Sequence, residues 1–297
     1  MSKTGRLFLV GTPLGNLDDV SARALETLRS VDLVACEDTR RTRVLLERFG
    51  IDAPLRSLPA FDEERRAHGL IERLLAGEDV ALVTDAGMPG ISDPGEILVR
   101  MAIERGVEVV PIPGPTAALT ALAASGLPTG RFAFFGFLPR KGSGRRKLLE
   151  EMAAFPGTLI LYESPRRLAE TLRDLRDALG DRRACVAREL TKIHEEFRRG
   201  TLSELAAHYA GEVLGEVTVV VEGRPAEREA AADPDQLLRA RLRGGASVKD
   251  ATREVAEALG LPRKEVYRRA LELAAEEASS SNQGTNSSPI SSKRERG

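Results

Sequence analysis

Val80-Ala81-Leu82-Val83-Thr84-Asp85-Ala86-Gly87-Met88-Pro89-Gly90-Ile91-Ser92-Asp93-Pro94-Gly95 sets an apolar run directly before a loop of glycine, proline and aspartate. The first part has the length and composition of a buried strand. The second reads as a stiff loop at its carboxyl end. Glycine lets a ligand approach the backbone, proline fixes φ, and Ser92 or Asp93 is placed to cap a helix marked by Ile97, Leu98, Met101 and Ile103. In open α/β sheets, ligands sit at such strand ends. An ordinary strand-to-helix connection would use the same residue types, so the rest of the chain must decide between the two.

On either side of this loop, short β-branched runs alternate with helical periodicity. Strands are predicted near residues 6–10, 32–36, 79–84 and 108–112, with helices near 21–29, 39–49, 62–76 and 93–105. Such alternation implies a mostly parallel sheet covered on both faces. A second set follows, with strands near 132–135, 158–162, 184–188 and 217–222 and helices near 144–154, 166–179 and 203–210. The fold class is therefore α/β: two α/β domains, mostly parallel in the first and mixed in the second, with a cleft between them, and a small C-terminal helical domain. The expected boundaries are 1–117, 118–225 and 233–278, followed by a disordered tail at 279–297 that is rich in serine and asparagine. Within 233–278, the spacing of Val248, Ala251, Val255 and Leu259, the turn Gly260-Leu261-Pro262 and a further helix from Val266 suit a helix-turn-helix or a plain packing hairpin equally.

Composition bounds the function. With 297 residues and 42% hydrophobic content, the chain can bury a large core. Its 44 basic and 45 acidic residues balance to −1, so nucleic-acid contact has to come from local patches. Two cysteines, Cys36 and Cys185, sit in apolar runs without metal-site or disulfide spacing, which suits buried thiols in a cytoplasmic protein. His68, His194 and His208 are dispersed, so no metal site is expected. No signal region or apolar run of about 18 residues occurs, so no membrane partner is expected either. Aromatic residues are only 4% and tryptophan is absent, which disfavours a base-stacking platform as the main means of RNA capture.

A second loop, Gly11-Thr12-Pro13-Leu14-Gly15-Asn16, follows the first strand, and Pro113-Gly114-Pro115-Thr116 follows the strand near 108–112. Neither is a G-x-G-x-x-G or P-loop pattern. Parallel strands would bring all three loops to one sheet edge, which a chance connection does not explain. On these stretches the chain resembles the tetrapyrrole-methylase-like superfamily of S-adenosylmethionine-dependent methyltransferases and, within it, the ribosomal RNA small subunit methyltransferase I family. The resemblance extends to Glu37-Asp38-Thr39-Arg40-Arg41-Thr42, Gly136-Phe137-Leu138-Pro139-Arg140-Lys141, Tyr162-Glu163-Ser164-Pro165 and Ala187-Arg188-Glu189-Leu190-Thr191-Lys192. Met88 stands where the family usually has threonine, Arg166 where histidine is common, and residues 57–64 lack a His-Glu-His-Asn-like stretch.

The resemblance implies 2'-O-methylation of a cytidine ribose in the decoding region of 16S rRNA, on the 30S subunit, by a homodimeric cytoplasmic enzyme that uses S-adenosylmethionine. It implies a cofactor site built from Gly11, Pro13, Leu14, Gly15, Asp85, Ala86, Gly87, Met88, Ile91, Ser92, Pro115, Thr116, Ala117 and Tyr162. Methyl transfer to an alkoxide needs alignment and no obligatory metal. Asp38, Glu163 or Glu189 could accept the ribose proton, with Lys192 or Arg188 stabilising the oxyanion; each also reads as a salt-bridged structural residue. Phosphate contacts are expected from the loop cations Arg140, Lys141, Arg145, Arg146 and Lys147 and from Arg40 and Arg41. Two other functions remain open: a small-molecule methyltransferase of the same fold, for which the cationic loop has little use, and a non-catalytic nucleic-acid-binding protein.

Overall fold

The computed structural model describes residues 4–224 and 233–282. These fall into two units divided at Arg224 and Pro225.

The first sheet contains β1 (Arg6–Val10), β2 (Leu33–Cys36), β3 (Leu55–Ser57), β4 (Val80–Val83) and β5 (Glu108–Ile112), all parallel in the order β3-β2-β4-β1-β5. Between them run α1 (Ala22–Ser30), α2 (Thr39–Arg48), α3 (Glu63–Leu75) and α4 (Glu96–Glu104). Alternation along each strand sorts the side chains. Leu7, Val80 and Leu82 join α3 and α4 in one core, while Phe8, Val10, Ala81 and Val83 join α1 and α2 in another.

After β5, α5 (Ala117–Ser125) leads to β6 (Phe132–Phe137), α6 (Ser143–Ala154), β7 (Thr158–Glu163), α7 (Leu168–Leu179), β8 (Arg183–Arg188), β9 (Glu196–Thr201), α8 (Leu202–His208) and β10 (Val217–Val221). The second sheet has the order β6-β7-β10-β8-β9, with only β6 and β7 parallel. Leu159, Leu161, Val186 and Val219 face α6, α7 and α8. Ile160, Cys185, Ala187 and Val220 face α5. Both cysteines are buried, and burial pushes each thiol's pKa up.

Two strands escaped the sequence reading, and both are sheet edges. β3 has three residues, and β9 (EFRRGT) carries too many polar side chains to show an apolar face. The start of α4 also differs from expectation. Neither Ser92 nor Asp93 caps it; Gly95 holds the N-cap position at φ 139° without a side-chain bond. Instead Glu63, at the start of α3, accepts from the N–H groups of Gly95 (2.9 Å), Ile97 (2.9 Å) and Leu98 (3.3 Å) through one carboxylate oxygen. Three otherwise unpaired donors are satisfied from a neighbouring helix.

The helical unit contains α9 (Pro234–Arg243), α10 (Val248–Leu259) and α11 (Arg263–Asn282) around Leu238, Ala251, Val255, Val266, Ala270 and Leu273. Gly260 ends α10 in the left-handed region at φ 62°. α11 runs four residues into the segment whose composition predicts disorder, and the rest of that tail, 283–297, lies outside the described residues.

Candidate active site

β4, β1 and β5 are adjacent and parallel, so their three loops meet at one edge. Thr12 and Gly87 exchange backbone hydrogen bonds of 2.9 and 3.0 Å, and the Thr12 hydroxyl donates to the Thr84 carbonyl at 3.0 Å. A Cβ on Gly11 would lie 2.6 Å from the Gly114 Cα, so the β1 and β5 loops approach closely only because both residues are glycine.

Facing these loops across a cavity of about 360 Å³ are the end of β7, the start of β10 and the segment after β8. That volume lies in the ~300–1,000 Å³ range of small-molecule sites. Of the expected cofactor residues, Leu14, Asp85, Ala86, Gly87, Met88, Ile91, Ser92, Thr116, Ala117 and Tyr162 line it. Gly11, Pro13, Gly15 and Pro115 are not in its wall. Gly11 holds two loops together, and Gly15 makes room for the Lys192 stem, whose Cγ would be 2.3 Å from an added Cβ. Ser92 holds φ 66°, unusual for a residue with a side chain and a mark of a loop shaped by its surroundings.

The reading of the residues also missed part of the wall: Asp93, Phe137, Ser164, Pro165, Leu190, Gly215, Glu216, Val217 and Thr218. Asp93 belongs to the loop already singled out. Gly215 to Thr218 precede and begin β10, a place the carboxyl-end rule does not inspect. β10 runs antiparallel to β7 and β8, pairing Val217 with Glu163 and with Arg188, so its amino end meets their carboxyl ends.

The expected catalytic carboxylates divide. Glu163 has a side chain with no exposure, paired to Arg167 at 2.6 Å, and accepts from the Thr171 hydroxyl and the Ser164 N–H, each at 2.6 Å. Glu163 belongs to the cavity wall, but both oxygens of its carboxylate are engaged by neighbouring groups of the chain, the arrangement of a structural anchor. Asp38 caps α2 through the Arg40 N–H and pairs with the Arg40 guanidinium at 2.6 Å, which brings its carboxyl down to about 2. Glu189 receives the Lys192 ammonium at 2.8 Å, which holds it below the usual carboxylate range, and accepts from the Glu216 N–H at 2.9 Å. It stands behind Gly215, where an added Cβ would lie 2.3 Å from its Oε1. Lys192 also pairs with Glu216 at 3.1 Å; burial pulls its pKa down, but the bonds to Glu189 and Glu216 outweigh that and leave it raised. Glu189 (φ 53°) and Thr191 (φ 65°) are both left-handed, and the Asn16 N–H donates to the Thr191 hydroxyl at 3.0 Å, fixing this strained segment to the β1 loop. Arg188 is engaged by Glu196 at 2.9 Å.

At the first-sheet side of the cleft, burial pushes the carboxyls of Asp85, Asp93 and Glu37 up, and Arg41, 3.4 Å from Asp85, partly opposes this. Among the cations expected at phosphate, Arg145 is a correction. It is buried, pairs with Asp174 at 2.7 Å and donates to the Thr171 hydroxyl and the Pro139 carbonyl at 3.0 Å. Its guanidinium secures α6 to α7; α6 starts at Ser143, beside the expected helix near 144–154, so Arg145, Arg146 and Lys147 stand on the helix and only Arg140 and Lys141 in the loop before it. Arg140, Lys141, Arg146 and Lys147 are exposed.

The walls suit S-adenosylmethionine. Leu14, Ala86, Met88, Ile91, Leu190 and Val217 offer apolar surface for an adenosyl group, and Asp85 and Asp93 offer negative charge for a sulfonium and an ammonium.

Fold and cleft together define a methyltransferase: the chain belongs to the tetrapyrrole (corrin/porphyrin) methylase family, whose model matches residues 6–206. A second model, the RsmI C-terminal HTH domain, matches residues 228–274. Within the family, the chain is 50% identical over 273 residues to the ribosomal RNA small subunit methyltransferase I of Mesorhizobium japonicum, covering 90% of this chain and 92% of that one. It is 47% identical over 271 residues to that of Halalkalibacterium halodurans, covering 89% and 93%. The solved uroporphyrin-III C-methyltransferase from Thermus thermophilus, complexed with S-adenyl homocysteine, shares the fold at a TM-score of 0.55 and 20% identity, over 73% of this chain and 97% of that one.

Proposed function

We propose that this chain methylates the 2'-hydroxyl of a cytidine ribose in the decoding region of 16S rRNA, with S-adenosylmethionine as donor. The cleft carries this reading: three stiffened loops of one sheet face the strained Glu189–Lys192 segment of the other, in a chain about half identical to ribosomal RNA small subunit methyltransferases. The small-molecule alternative has less support, because the tetrapyrrole enzyme resembles this chain at 20% identity and in fold only.

When bound, the cofactor supplies an electrophilic methyl group open to in-line displacement by oxygen. The loop residues from Asp85 to Ser92, with Leu14, Thr116 and Tyr162, hold and orient it. Lys192, kept protonated by Glu189 and Glu216, stabilises the developing oxyanion. The ribose proton passes to Glu216, which is 60% exposed, in place of its neighbour in the cleft wall, Glu163, whose carboxylate is unexposed and paired. Arg40, Arg41, Arg140, Lys141, Arg146 and Lys147 contact RNA phosphates. The enzyme acts as a homodimer in the cytoplasm; light scattering of the purified chain checks the first point. No helix among the described residues is long and apolar enough to cross a membrane.

The test is transfer from labelled S-adenosylmethionine to naked 16S rRNA and to 30S subunits in parallel, with mass mapping of the product. A methyl on one cytidine ribose is expected. A methyl on a base, or on neither RNA, defeats the proposal.

A further inference from the structure

The helical unit has a groove of about 450 Å³ lined by Lys249, Thr252, Arg253, Arg263, Lys264 and Tyr267. No step of the methyl transfer uses it. Lys249 and Arg253 stand one turn apart on α10, and Arg263, Lys264 and Tyr267 occupy the first turns of α11, so the Gly260 turn brings two cationic helix faces together. Four cations in one concavity repel one another unless an anion enters.

The local acids do not remove this charge. Asp250 pairs with Arg253 at 3.0 Å and Glu257 with Arg263 at 3.3 Å, both in exposed positions where such pairs are weak and readily exchanged. Lys249 and Lys264 have no ion pair among the described residues. Tyr267 leaves 45% of its surface open beside the cations, and an aromatic ring there offers a face on which a base can stack. A hairpin used only for packing would fill this groove with apolar side chains; its own core lies elsewhere, around Leu238, Val255 and Val266.

We propose that this groove binds RNA, with the cations on successive phosphates and Tyr267 against a base, as a second contact for the polynucleotide acted on in the cleft. The inference rests on the RNA methyltransferase reading for the identity of the strand. Charge and an open aromatic face favour a single strand over an acidic protein, which has no base to stack.

The test uses the full chain and two measurements. A labelled single-stranded RNA oligonucleotide is titrated across a salt series, and methyl transfer to 30S subunits is followed at saturating S-adenosylmethionine. Lys249→Ala with Lys264→Ala is expected to weaken oligonucleotide binding about tenfold and to flatten the plot of log affinity against log salt by about 1.4, two contacts at ~0.7 each. Tyr267→Ala is expected to weaken binding with the salt slope unchanged. For 30S subunits, the double variant raises KM and leaves kcat as it was. Arg100→Ala with Arg105→Ala, exposed cations on and just after α4, serves as control. Wild-type affinity and slope in the double variant overturn the groove, as does equal loss on an acidic polypeptide competitor. Absence of methyl transfer by the wild-type chain defeats the underlying reading instead, and the oligonucleotide titration still reads the groove.

Discussion

The Glu163 side chain has no exposed surface and receives the Arg167 guanidinium and the Thr171 hydroxyl, each at 2.6 Å. Removing one member of a buried ion pair leaves the other uncompensated, at a cost of about 3–5 kcal/mol. Glu163→Ala is therefore expected to lose about 3 kcal/mol in urea unfolding, whereas Glu216→Gln is expected to keep its stability and lose turnover by about a hundredfold at saturating cofactor. The reverse pattern would return Glu163 to the chemistry. Sequence alone could not separate these two glutamates, nor Arg145 from Arg146. A carboxylate at a strand end reads the same whether its partner is a substrate or an arginine four residues on. Arg145 and Arg146 are neighbours in one cationic run, yet helix periodicity turns the first onto Asp174 and the second to solvent.

At the level of elements, the loop after β4 is held at both ends. The Thr12–Gly87 bridge fixes its start, and Glu63 secures its end by accepting three N–H groups at the head of α4. Loss of a capping acceptor costs about 0.5–2 kcal/mol. Glu63→Ala is expected to lower unfolding free energy by about 1–2 kcal/mol and to weaken S-adenosylmethionine binding severalfold by calorimetry. Unchanged affinity would mean that the loop keeps its shape without the cap. The loop itself was legible, because Gly87, Gly90, Pro89 and Pro94 impose backbone conformations that do not depend on the rest of the chain. Its cap was not, since Glu63 lies 32 residues before Gly95. The Gly215–Thr218 side of the cleft was hidden for a related reason: strand direction is a property of pairing, and β10 reads identically whether parallel or antiparallel.

For the whole molecule, the helical unit has its own core and is divided from residues 4–224 at Arg224 and Pro225. Two thermal transitions are expected in scanning calorimetry. S-adenosylmethionine at about 100 times its Kd adds ~2.7 kcal/mol to the state that binds it, and should raise only the transition of the larger unit, by about 5–10 °C. A single transition shifted as one would show that the units unfold together. The strand-and-helix alternation, the junction of three glycine-proline loops at one sheet edge, and the separate helical unit were all written in residue order. Each depends on neighbours within a few positions, where periodicity, φ restriction and composition act directly. Which carboxylates stay free, which arginine is buried, how an antiparallel strand closes the cleft, and how four cations come to line one groove required the folded chain. Some of these partners lie tens of residues away, as Asp174 does from Arg145 and β7 from β10, and others only a few, as Arg167 does from Glu163; in both cases side-chain orientation and strand pairing, which residue order does not specify, decide the contact.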